Sequence, residues 1–87
     1  MDLRLFSTFL RVAELQNFTK AAEQLGYSQA TVTVQIHQLE QALGIQLFER
    51  IGKRVRMTER GEQFIPYAIE ILKAEQNAKD FLREPEN

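Results

Sequence analysis

The chain has 87 residues, with 11 Lys or Arg against 12 Asp or Glu, one histidine and no cysteine. That length supports one hydrophobic core rather than two, the missing cysteines exclude disulfides and cysteine-based zinc sites, and His37 alone supplies no metal site and has no cysteine nucleophile to pair with. The net charge of −1 hides an uneven distribution: residues 1–61 carry eight basic and six acidic side chains, residues 62–87 carry three and six, and Arg50 to Arg60 carries five and one.

Asp2 caps a first helix, whose apolar positions Leu3, Phe6, Phe9, Leu10 and Ala13 repeat at helical spacing, with Leu5 and Val12 widening the face. Asn17 reads as its stop and Thr19 as the cap of a short second helix, Lys20 to Leu25, closed by Gly26. Ala21 and Ala22 leave room on that helix for a close neighbour.

The stretch SQATVTVQIHQLEQALG follows after Tyr27. Its TVTV alternates like a strand, yet Val32, Ile36, Leu39 and Leu43 form one stripe of a helix that Ser28 and Gly44 bracket as cap and stop. Two helices joined through a glycine-containing turn make a helix-turn-helix. Ala30 and Val34 point away from Val32, and Thr31 and Thr33 flank them, so the outward face is small and nearly uncharged. Such a face reaches base edges and thymine methyl groups without bulk, and Gln29 and Gln35 add paired donors and acceptors. A solvated helix face has the same appearance in this segment alone.

After Gly44, QLFER and VRMT are two short extended runs around a turn, IGKR, which predicts a β-hairpin. Arg50 and Arg56 face outward, Leu47 or Val55 inward, and Lys53 and Arg54 sit at the tip. Thr58 caps a long helix, Glu59 to about Leu82. Its two stripes, Phe64, Ala68, Ile71, Ala78 and Leu82 beside Ile65, Ile69 and Leu72, are wider than one neighbour needs and imply a partner helix. Pro66, a turn and a half inside, predicts a kink. The four glycines read as punctuation at element ends, and LREPEN as a polar tail.

Taken together, FTKAAEQLGYSQATVTVQIHQLEQALGIQLFER and VRMTERG resemble the N-terminal domain of LysR-type transcriptional regulators over almost the entire chain. The resemblance implies a mainly α, winged helix-turn-helix fold: three helices plus a two-stranded β-hairpin wing, then a long dimerisation and linker helix. Residues 1–58 would form the DNA-binding domain, with the helix-turn-helix at about 18–37 and the wing at about 46–57, and residues 59–87 the linker helix and tail. It further implies DNA contacts from Ser28, Gln29, Ala30, Thr31, Thr33, Val34 and Gln35 on the recognition helix and from Arg50, Lys53 and Arg54 on the wing and backbone side. Dimerisation falls to Phe64, Ile65, Ala68, Ile71 and Leu72. Gln29 matches a base-contacting glutamine of that family, Thr33 replaces a frequent serine, and Gln35 serves phosphate or packing. Ala30 replaces a frequent proline and Val34 a frequent arginine, which points to A·T-leaning readout beneath Val34.

The expected partners are double-stranded DNA with a pseudo-palindromic site and a second copy of the chain, with tetramers in a full-length protein whose effector-binding domain is absent from this sequence. No cofactor, metal or catalytic residue is expected. The layout of MDLRLFSTFL is not that of a signal peptide and no apolar run approaches the ~20 residues that span a bilayer, so a cytoplasmic location without membrane contact is expected. Two other classes are weighed against this. A helical interaction module would use the apolar face after Thr58 without binding DNA, and an enzyme would have to employ Glu40, Glu49 or Glu59, which read as solvated surface.

Overall fold

A computed structural model describes residues 2–51 and 54–83. In chain order they form α1 (Arg4–Leu15), α2 (Phe18–Leu25), α3 (Gln29–Leu43), an antiparallel hairpin of β1 (Phe48–Ile51) and β2 (Arg54–Met57), and α4 (Glu59–Arg83). The fold is the predicted one: three helices, a two-stranded wing and a long final helix. Gly52 and Lys53, expected at the wing tip, lie outside the described residues.

Each start and stop has a local cause. The Asp2 carboxylate accepts the Arg4 backbone N–H at 2.9 Å, so it caps the first turn although the regular helix begins two residues later. The same carboxylate pairs with the Arg4 guanidinium at 2.7 Å, and that hydrogen bond holds its pKa below the usual carboxylate value. The second cap corrects the expectation. Asn17, not Thr19, caps α2: its side chain accepts Lys20 N–H at 2.9 Å, the helix begins at Phe18, and α1 ends instead on Gln16 in the left-handed region. Asn and Thr two residues apart are both competent caps, and with Asn17 as the cap Phe18 opens the helix and is buried. Ser28 caps α3 by accepting Thr31 N–H at 3.1 Å, and Gly26 and Gly44 close α2 and α3 at φ 75° and 70°.

One core joins all these elements. Phe9, Val12, Ala21, Val32, Leu39, Leu47 and Ala68 have no exposed surface, and Phe9 packs against the rings of Phe48 and Phe64 at 5.6 and 5.5 Å between centroids. Within α1 the deepest positions are Leu5, Phe6, Phe9 and Val12, while Leu3, Leu10 and Ala13 sit at the margin. Leu5 and Val12, expected to widen the face, are thus nearer its centre than Leu10 and Ala13. Thr8, read as no part of it, is buried there as well.

Part of the α4 stripe also has a neighbour within its own chain. Ala68 is fully buried, Phe64 contacts the rings of Phe6 and Phe9, and Ile65, Ile71 and Leu72 pack at the edge of the same core. These five residues, expected to meet a second chain, first cover α1 of their own. The helix runs unbroken through Pro66. None of its described residues beyond Leu72 is buried, and Phe81 and Leu82 are 74% and 78% exposed.

Candidate nucleic-acid interface

α3 is positioned from two sides. Its buried stripe, Val32, Ile36 and Leu39, faces α1 and α2, and this places Ser28, Gln29, Ala30, Thr31 and Val34 on the surface, with Thr33 and Gln35 half-buried. Gln35 is turned inward: its side-chain carbonyl accepts the hydroxyl of the buried Thr8. Of the two roles expected for Gln35, phosphate or packing, the geometry favours packing, because a hydroxyl shut away from water needs that acceptor. Thr8 was not found from the sequence, and a polar residue inside an apolar stripe is the signal that marks it.

This pair makes a prediction with a distinctive sign. Thr8→Val removes a neutral hydrogen bond and keeps the shape, so a loss of about 1 kcal/mol, or roughly 4–8 °C in melting temperature, is expected. Gln35→Leu strands a buried hydroxyl and should lose more, whereas the double variant should recover part of the difference. Thermal unfolding of the four proteins at one concentration checks this, and strict additivity would contradict it.

The wing is fixed to α3 by two devices. Arg50 lies over the Phe18 ring, 4.9 Å from the guanidinium carbon to the centroid, and its Nη2 reaches Thr33 Oγ1 at 3.4 Å. Phe18 belongs to α2 and Thr33 to α3, so Arg50 links wing, second helix and recognition helix. At the other end of β1, Glu40 Oε2 accepts the backbone N–H groups of Leu47 at 2.7 Å and Phe48 at 3.3 Å. Glu40 is thus an anchor rather than the solvated carboxylate expected. Glu49 is bound to Arg56 across the hairpin at 2.8 Å, and Glu59 is exposed in the first turn of α4.

Between the start of α2, Gln29 and two of the wing arginines, Arg50 and Arg54, lies a cleft of about 420 Å³. Gln29 is held at its edge by the Thr19 hydroxyl, 3.2 Å from Oε1. Of the expected residues, Gln29, Arg50 and Arg54 line this cleft. Ser28, Ala30, Thr31 and Val34 are exposed on α3 outside its lining, Thr33 meets Arg50, Gln35 faces α1, and Lys53 lies outside the described residues. His37 is exposed on the outer side of α3. Among the described residues, no three His, Asp or Glu side chains are grouped so as to hold a metal ion, and no helix is long and apolar enough to cross a membrane.

A three-helix core whose third helix presents a small-residue face beside a two-stranded basic wing defines the winged helix-turn-helix class. Residues 3–62 match the family described as "Bacterial regulatory helix-turn-helix protein, lysR family", and the chain belongs to that family. It is 42% identical over 78 residues to the HTH-type transcriptional regulator CitR of Bacillus subtilis (strain 168), covering 90% of this chain and 27% of that protein. It is also 42% identical over 84 residues to the uncharacterized HTH-type transcriptional regulator YfiE of Escherichia coli (strain K12), covering 97% and 27%. The chain thus spans about a quarter of the length of these relatives. Among solved structures, a CbnR_DBD–DNA complex superposes with a TM-score of 0.89 at 35% identity, covering 95% of each chain. A BenM_DBD/benA site 1 DNA complex superposes with a TM-score of 0.85 at 40% identity, covering 95% of this chain and 93% of that one.

Proposed function

We propose that this chain binds double-stranded DNA, with the outward face of α3 in a major groove and the Arg50 and Arg54 side of the wing against the phosphate backbone. The observation that carries the reading is the meeting of Gln29, at the α3 N-terminus, with Arg50 and Arg54 of the wing on one cleft, in a fold shared along nearly its whole length with domains solved on DNA. The overall charge of −1 does not oppose it, because the basic side chains gather on the wing and the start of α4 and the acidic excess follows residue 61.

Two copies would act together on a pseudo-palindromic site, each supplying one head. The α4 surface left after α1 is covered includes Tyr67, Ile69, Phe81 and Leu82, and these exposed apolar groups suit a second chain. In this reading Phe64, Ile65, Ala68, Ile71 and Leu72 support that surface from behind. The whole protein would be a cytoplasmic transcription regulator in which a further domain senses a small-molecule effector, assembled as a tetramer.

Fluorescence anisotropy on mixed-sequence duplexes across a salt series tests the reading, with sedimentation fixing the oligomeric state. About three phosphate contacts per head, or six per pair, predict a roughly thousandfold loss of affinity between about 50 and about 200 mM salt. A stable dimer that binds no duplex at low salt would refute the proposal and favour a helical interaction module instead.

A further inference from the structure

From Ala21 to Glu49 the chain contains no lysine and no arginine. The helix that the proposed function places in a major groove therefore lacks the cationic side chain that grips guanine O6 and N7. Its side-chain acceptors are engaged within the protein as well: Gln29 by Thr19 at 3.2 Å, Thr31 by Ser28 at 2.9 Å, Thr33 by Arg50 at 3.4 Å, and Gln35 by Thr8. Two outward positions offer carbon alone. Val34 is 54% exposed, and Ala30, one turn earlier on the same face, is exposed too.

Folding gives no reason for Val34. A β-branched residue is a mediocre helix former, and one that projects into water contributes little to the core. In the major groove the same side chain meets a specific target, since among the four bases thymine alone carries a methyl group there. We propose that the Ala30–Val34 ridge reads C5-methyl groups, and that Val34 sets the preference at the base pair beneath it; this rests on the DNA-binding reading above. The Cα atoms of the two residues are about 6 Å apart along the helix axis, just under two base steps of about 3.4 Å, so the ridge reaches pairs no more than two steps apart. A reader that contacts the methyl group without hydrogen-bonding the ring substituent beside it does not separate thymine from 5-methylcytosine. Methylation of cytosine at that position then creates a site rather than blocking one.

The experiment begins with selection from a randomised duplex library by the 87-residue chain at low salt. The base pair whose preference moves when Val34→Arg is selected in parallel marks the position under Val34. Duplexes carrying thymine, deoxyuridine, cytosine or 5-methylcytosine there are then compared by anisotropy. Removing the thymine methyl should weaken binding about fourfold per half-site, adding a methyl to cytosine should strengthen it by a similar factor, and Val34→Ala should bring both ratios close to one. The exposed position leaves the fold of Val34→Ala intact, which its unfolding curve checks. Equal affinity for thymine and deoxyuridine in a duplex that the chain does bind, or ratios unchanged by Val34→Ala, overturns the inference and leaves DNA binding standing. No enriched duplex at low salt overturns both.

Discussion

Gly61→Ala is expected to lower the melting temperature by about 10 °C or more, corresponding to roughly 2 kcal/mol, although alanine is the better helix former by up to about 1 kcal/mol. A Cβ at Gly61 would lie 2.2 Å from the carbonyl oxygen of Leu47, 3.0 Å from its carbon and 3.2 Å from its Cα. These are backbone atoms, and they are pinned. The oxygen accepts Thr58 N–H at 3.0 Å, the Leu47 amide is held by Glu40 at 2.7 Å, and the Leu47 side chain is fully buried. Relief must therefore come from shifting the start of α4, where the Gly61 amide itself donates to Thr58 Oγ1 at 2.9 Å. Overpacking against an immobile neighbour outweighs the propensity gain, and Gly61→Val should be worse. Gly26→Ala is a useful contrast, because nothing lies within 4 Å of its Cβ and its cost, about 1–2 kcal/mol, comes from the left-handed φ of 75° alone. A melting temperature for Gly61→Ala equal to or above that of the parent would show that the approach of α4 to Leu47 is looser than described.

Gly61 also shows where sequence reasoning stops. Read as punctuation, it is instead the point at which one helix touches another segment's backbone, and no periodicity reports a contact between residues 14 positions apart. Features with a local cause were legible: the Ser28 cap, the Val32, Ile36 and Leu39 stripe and the Gly44 stop define α3, and Thr58 marks the start of α4. The Asn17 cap was missed because two competent residues stand close together and nothing local separates them. The α4 stripe illustrates a different limit. Its spacing identifies an apolar face but carries no information on whether α1 or another chain occupies it, and here α1 takes Phe64 and Ala68. The candidate interface residues came from composition and family likeness together, whereas the contacts of Thr8 with Gln35 and of Arg50 with Phe18 became visible only through geometry.

Glu40→Ala is expected to be destabilising by about 2–4 kcal/mol and to weaken DNA binding beyond what lost stability explains. One carboxylate oxygen serves two partly buried amides, Leu47 and Phe48, at the point where the chain enters β1. Removing it leaves both donors without their partner, at about 1–3 kcal/mol each where water does not replace it. A carboxylate in the last turn of α3 opposes the helix dipole by about 0.3–1 kcal/mol, so its presence there is a net gain only because the two charge-assisted bonds are stronger. Glu40→Gln separates the contributions: it keeps an acceptor oxygen and relieves the dipole, and should lose about 1 kcal/mol or less. The functional consequence follows from position. Glu40 also accepts Gly44 N–H through its own carbonyl at 2.8 Å, so a single residue ends the recognition helix and starts the wing. With the side chain gone, Arg50 and Arg54 lose their fixed relation to Ala30 and Val34, and a two-part interface loses the advantage of a preset geometry. Amide exchange at Leu47 and Phe48 measures the anchor directly, and anisotropy well below the melting temperature measures the interface. Unchanged protection of both amides in Glu40→Ala would remove Glu40 from this role, and unchanged affinity alongside lost protection would show that the wing aligns on DNA without it.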